Sequence, residues 1–230
     1  MPVVPGLHIV PLGIVNVYLL EDGDALTLID TGAPGHTEKI LDAIRALGKQ
    51  PADVTNILVT HLHSDHTGCL PDLKAATGAP ATMHPIDAEA VRQGVCMRPV
   101  KPGPSLLSKL VFTLMSRMAT PDEIPATEIE TTVEDGDVID IAGGLEVVHL
   151  PGHAAGQIGF LWRQHGGVMI VADAAANMLR LSGAPIYEDL AAGMASLQRL
   201  GSLDFEVACF GHGKPITEGA SARFRRKWGQ

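Results

Sequence analysis

The chain has 230 residues, 46% of them hydrophobic, and a formal net charge of −9. That length accommodates one large domain or two small ones, with ample apolar material for a core. The acidic balance argues against a nucleic-acid partner, because phosphate recognition needs tracks of basic side chains; the basic run Arg223, Arg225, Arg226 and Lys227 reads as the solvated last turn of a helix.

The chain opens MPVVPGLHIV, where no basic residue precedes the apolar ones and Pro2 and Pro5 interrupt them, so no secretory signal is expected. No apolar run is long enough to span a bilayer, and no membrane partner is expected. Cys69, Cys96 and Cys209 are odd in number, lack CxxC spacing and are expected as reduced thiols packed like small hydrophobes. A cytoplasmic location is the default expectation. Strand-like segments occur near 7–10, 14–20, 25–30, 56–60, 80–83, 137–141, 145–150, 157–163, 168–172 and 206–210. Helical patterns fall at 36–48, 86–93, 105–118, 188–200 and 217–227. In the first of these, Ile40, Ala43, Ile44 and Leu47 have the i, i+3, i+4, i+7 spacing, and Gly48 supplies a stop. The mixture gives an α/β class. With no linker or low-complexity tract, a single domain over 1–230 is expected.

Residues 94–128 read as an insertion. Their centre, 105–118, is an apolar helix candidate carrying Leu106, Leu107, Leu110, Val111, Leu114, Met115 and Met118, bracketed by prolines. Methionines are flexible and polarisable, which suits a lid or pocket wall over a cleft. A homodimer contact and plain packing are the other two readings.

Residues 60–68 read THLHSDHTG, the densest chemistry in the chain. His61, His63 and His66 would repel one another if charged and would be costly to bury if neutral and unpaired. A divalent cation resolves both problems, since neutral imidazole and ionised carboxylate such as Asp65 are its natural ligands. The run Asn56-Ile57-Leu58-Val59-Thr60 looks like a buried strand, and Gly68 and Pro71 punctuate the chain soon after the histidines, so the cluster is placed on a loop leaving that strand. On a strand-like HxH, His61 and His63 point the same way. A turn after His63 lets Asp65 and His66 aim at a second point, which suits two metals better than one. Further candidates each end an apolar run: His153 in LPGHAAGQIGF, Asp173 after 168–172, and His212 in CFGHGKPI. In a layered α/β protein such loops gather at one sheet edge. His8, His36, His84, His149 and His165 are treated as background, with His84 read as a surface or capping residue.

The order HxHxDH, PGH, strand-ending Asp and late GH, preceded by LIDTGAPGH at 28–36, resembles the metallo-β-lactamase-fold hydrolase superfamily over about residues 10–215. The resemblance implies a four-layer αββα sandwich. It implies two divalent cations, one held by His61, His63 and His153, the other by Asp65, His66 and His212, with Asp173 bridging. Zinc is the default, with iron or manganese as alternatives. It makes Asp65 and Asp30 the catalytic carboxylates: Asp65 orients a metal-bridging hydroxide and moves a proton, while Asp30 buttresses the ligand loops without being a ligand. The expected reaction is hydrolysis of a small-molecule ester, lactone or thioester.

Two departures narrow that expectation. Glyoxalase II relatives carry a helical C-terminal domain, and little chain remains beyond His212 here. Quorum-quenching lactonases have a tyrosine soon after the bridging Asp, whereas Asp173 is followed by AAANML and Tyr187 stands well beyond it. The alternatives are promiscuous phosphotriester or β-lactam hydrolysis at the same site, iron-dependent persulfide oxidation (disfavoured by the retention of every dinuclear ligand), and a non-catalytic metal-binding module.

Overall fold

A computed structural model describes residues 1–115 and 123–229. Two sheets form its centre. The larger has seven strands in the order Pro2–Val4, Leu7–Pro11, Asn16–Asp22, Ala25–Ile29, Val54–Leu58, Ala81–Met83 and Thr131–Thr132. Its first four strands run antiparallel, and from Ala25–Ile29 onward the pairings are parallel. The smaller sheet has the order Val207–Cys209, Val168–Ile170, Ile158–Trp162, Leu145–His149 and Val138–Ile139, with only the first pair parallel.

Side-chain alternation along these strands sorts the apolar residues into three separate cores. Tyr18 and Leu20 point one way, into a core shared with Val147, Phe160, Trp162 and Ile170 of the smaller sheet. Val17 and Leu19 point the other way, onto Ile40 and Ile44 of helix Thr37–Ala46, Leu73 of Leu70–Thr77 and Val91 of Pro85–Arg92. Val148, Leu161 and Met169 leave the opposite face of the smaller sheet and meet Leu197 and Leu200 of helix Leu190–Ser202 and Phe224 of helix Ala220–Trp228. The layers therefore run helix, sheet, sheet, helix. Cys69, Cys96 and Cys209 are all buried in these cores, and burial pushes the Cys209 thiol up to about 12 despite its hydrogen bond to Tyr18.

Several expected boundaries move. The strand expected at 56–60 is Val54–Leu58, so residues 59–63 lie beyond it and do not alternate as strand residues. Pro71 does not break the chain: it sits in the first turn of helix Leu70–Thr77, where its missing N–H costs nothing. The helix expected at 188–200 starts at Leu190, because Asp189 caps it by accepting from the Ala192 N–H at 3.0 Å. Within 94–128, helix Leu106–Met115 forms, and Leu106, Leu110 and Leu114 are exposed along it. Met118, with the rest of 116–122, lies outside the described residues. Among the described residues no helix is long and apolar enough to cross a membrane.

Candidate metal centre

The parallel strands deliver their C-terminal ends to one edge of the sandwich, and the candidate residues lie just past those ends. Asp30 comes after Ala25–Ile29, the 61–66 segment after Val54–Leu58, Asp173 after Val168–Ile170, and His212 after Val207–Cys209. His153 lies in the turn that joins the antiparallel strands Leu145–His149 and Ile158–Trp162. Two contacts clamp the sheets together here: the Ile158 N–H donates to the Thr60 carbonyl at 2.9 Å, and the Asn16 N–H donates to the Gly211 carbonyl at 2.8 Å.

All seven candidate ligands converge. His61, His63 and His153 form one group, and Asp65, His66 and His212 another, with the ligand atoms of each within 4.8 Å of one another; His61, His66 and Asp173 meet the same criterion. His61 and His63 converge as expected, although a loop rather than a strand brings them together: the His61 Nε2 lies 3.1 Å from the His63 Nδ1. The helical turn Ser64–Thr67 then swings Asp65 and His66 towards the second group. Asp173 stands between the groups, with Oδ2 at 3.5 Å from the His153 Nε2 and 3.0 Å from the His212 Nε2, and Oδ1 at 3.6 Å from the His66 Nε2. Asp65 Oδ2 is 3.3 Å from the His212 Nε2.

These residues fit a cation. Ligand atoms about 2.0–2.1 Å from a tetrahedral ion stand roughly 3.3 Å apart, close to the spacings above. The Nε2 atoms of His66 and His153 and the Oδ1 of Asp173 are buried without a hydrogen-bond partner, a cost that folded proteins avoid unless another partner is supplied. On His61, His66, His153 and His212 the outer ring nitrogen is engaged, which fixes those four rings. His61 Nδ1 meets the Thr60 hydroxyl at 3.0 Å, His66 Nδ1 meets Asp30 at 2.8 Å, His153 Nδ1 meets the Ile186 carbonyl at 3.0 Å, and His212 Nδ1 meets the Ile14 carbonyl at 2.8 Å.

The electrostatics divide the site. Burial, reinforced by neighbouring imidazoles, lowers His61 well below the usual histidine range, brings His63 to about 3 and lowers His153, so this group is neutral and ready to donate lone pairs. Burial opposes charge on His66 and His212 as well. For His66, Asp30, Asp65 and Asp173 outweigh burial, and for His212, Asp173 and Asp65 do, raising both well above that range. Burial would raise the Asp65 and Asp173 carboxyls, but His66 and His212 hold both below the usual carboxylate range. A cation bound by that group displaces those protons.

Asp30, expected as a buttress, hydrogen-bonds to Thr60 and to the His66 ring. It sits at φ 63°, a left-handed conformation that Asp tolerates better than most residues. Its carboxylate accepts from the Thr60 N–H at 2.8 Å and from the Thr60 hydroxyl, besides holding His66. Gly211 is required by close approach: a Cβ there would stand 2.0 Å from Asp173 Oδ1. His84 is a capping residue, buried and accepting from the Ile86 N–H, with its ring stacked on His149 at 4.3 Å. Tyr187 is buried, packed over Gly183 and Gly193. Thr60 and the carbonyls of Ile14 and Ile186 were not expected; the threonine directly before HxH was a signal available for the first, and backbone carbonyls leave none.

The sequence model of the metallo-beta-lactamase superfamily matches residues 10–212. The chain is 27% identical over 204 residues to the lactamase-like protein aptB of Emericella nidulans, a match covering 88% of this chain and 52%, about half, of that protein. It is 26% identical over 229 residues to the probable metallo-hydrolase YflN of Bacillus subtilis, covering 92% of this chain and 85% of the relative. Among solved structures, BJP-1, a subclass B3 metallo-beta-lactamase of Bradyrhizobium japonicum, superposes with a TM-score of 0.72 at 20% identity, covering 99% of this chain and 89% of that one. A metallo-beta-lactamase family protein from Thermus thermophilus gives a TM-score of 0.71 at 25% identity, covering 98% and 79%.

Proposed function

Because this chain belongs to the metallo-beta-lactamase superfamily, we propose that it is a metal-dependent hydrolase that holds two divalent cations, zinc by default, and cleaves a small ester, lactone or thioester. The observation that carries the reading is Asp173, whose carboxylate oxygens reach His153 of one ligand group and His66 and His212 of the other. A carboxylate in that position can serve two ligand groups at once. Divalent ions held by those groups would supply Lewis acidity and make a water nucleophilic near neutral pH.

The protein's own groups do the rest. Asp65 is half-buried at the cleft and restrained by His212. It stays ionised at neutral pH, so it can accept a proton from the attacking water and return it to the leaving group. Asp30 and Thr60 keep His66 and His61 oriented while this happens. The exposed apolar side chains of Ile14 and Met178 flank His212: the Ile14 carbonyl binds its ring, and the Asn177 N–H donates to its carbonyl at 3.0 Å. They favour a substrate with an apolar portion. Leu106, Leu110 and Leu114 offer a further apolar wall on the 94–128 segment.

The test is a panel of carboxylic esters, lactones, thioesters, phosphotriesters and β-lactams given to zinc-, iron- and manganese-reconstituted protein. The expected outcome is fastest turnover on one of the first three classes. Turnover confined to phosphotriesters or β-lactams would move the bond assignment. Oxygen uptake on a persulfide without hydrolysis, or metal binding with no turnover at all, would overturn the hydrolase reading.

A further inference from the structure

We propose that Asp87, Arg98 and Glu188 form an ion triad, with Asp87 buried and the other two half-buried, that positions the ligand group His61, His63 and His153, separately from the group around His66. This rests on the two-cation reading above. Asp87, on helix Pro85–Arg92, is completely buried. Its Oδ2 accepts from the N–H of Leu62, the residue between His61 and His63, at 3.1 Å. Its Oδ1 accepts from the N–H of Gly156, three residues past His153, at 3.0 Å, and also from the Arg98 Nη2. Arg98 then donates through Nε to Glu188 Oε1 at 3.0 Å. Glu188 closes the circuit: its Oε2 accepts from the Ala155 N–H at 3.0 Å, and its own N–H donates to the His153 carbonyl at 3.4 Å.

Each backbone group that the triad carboxylates hold belongs to a loop carrying a ligand of one group. The second group is held by other partners. Asp30 takes the His66 ring and the Thr31 hydroxyl takes the His66 carbonyl, while the Ile14 carbonyl takes the ring of His212. Chain packing also anticipates the triad. A Cβ on residue 156 would stand 2.6 Å from Asp87 Cγ, so glycine is needed for the carboxylate to reach both loops. Arginine is needed between the carboxylates because its planar fork engages two acceptors at once, whereas a lysine ammonium is a point charge. Stability alone gives weak grounds for burying such ions, since apolar replacements are often neutral or better. Positioning gives a reason for keeping them. Arg98 also ties the 94–128 segment to the His61 loop through Asp87.

The test titrates metal-free protein with cobalt(II), following absorption and cation stoichiometry, in the native chain and in Arg98→Met, Arg98→Lys and Glu188→Gln. Native protein should bind two cations. His153→Ala assigns the step that belongs to the three-histidine group. Arg98→Met should weaken that step by about 10-fold, the lower end of the effect of losing a ligand's direct outer partner, because Arg98 acts through Asp87 and Glu188, and leave the other step within about 3-fold. Arg98→Lys should recover part of the loss. Should Arg98→Met fail to fold, Glu188→Gln, which keeps the shape and can still accept from Ala155, should weaken the same step by a smaller factor. Equal weakening of both steps, or no change in either in folded variants, overturns the triad proposal with the two-cation reading intact. Native protein that binds fewer than two cations overturns that reading and, with it, the triad.

Discussion

Two buried carboxylates support this site, and they work differently. Asp30 grips a ligand directly, with its Oδ2 on the His66 ring and Thr60 completing its shell. Asp87 makes no hydrogen bond to an imidazole among the described residues; it holds the peptide groups between and beyond the histidines and needs a guanidinium as counter-charge. The direct brace sets the orientation and basicity of one ring, and His66 itself supplies part of its charge balance. The indirect brace sets where a loop runs, so its own charge must be met by a residue brought from elsewhere in the chain. One protein thus uses a short-range and a long-range solution to hold two neighbouring ligand groups.

The largest expected effect removes what both braces serve. Asp173→Ala should lose both cobalt-binding steps and hydrolysis, whereas His63→Ala should lose the three-histidine step first; far-ultraviolet circular dichroism should be unchanged in both. Full activity in either purified variant would break the site assignment. Next, Asp30→Asn should weaken the step that includes His66 by about 10–100-fold and, through Thr60 and His61, the three-histidine step by a smaller factor; equal losses in both steps would mean the two braces are not separable. Gly156→Ala comes third. Its methyl group collides with Asp87, and overpacking of this kind costs about 1–3 kcal/mol, read as a lowered denaturation midpoint of the metal-free protein. The smallest stability effect belongs to Leu110→Ser with Leu114→Ser. Both side chains are exposed, so stability should move by no more than about 0.5 kcal/mol per site, while substrate preference shifts. Unchanged preference would remove the 94–128 helix from the pocket.

The candidate ligands were legible because coordination chemistry restricts residue type so tightly. Few structural reasons put three histidines and an aspartate within residues 61–66, and His153, Asp173 and His212 each stand just past an apolar run. The same apolar runs made the central strands readable. Asp87, Arg98 and Glu188 carried no such signal: each is an ordinary charged residue in the sequence, and only the folded chain brings Arg98 to Asp87 and Glu188. Strands of two or three residues, such as Lys101–Pro102 and Ile186–Tyr187, are too short to show a period of two. Helix Leu70–Thr77 was hidden by Pro71, which reads as a breaker in sequence and acts as a first-turn residue in the fold.

The burial of all three sulfurs has a consequence for handling and habitat. Thiol oxidation proceeds through an accessible thiolate, and Cys69, Cys96 and Cys209 are each 0% exposed. A chain sealed in this way should keep its thiols whether glutathione or air surrounds it, so alkylating reagents ought to label it only once it unfolds. The cysteines then favour neither a reducing nor an oxidising compartment, and purification should not need an added reductant.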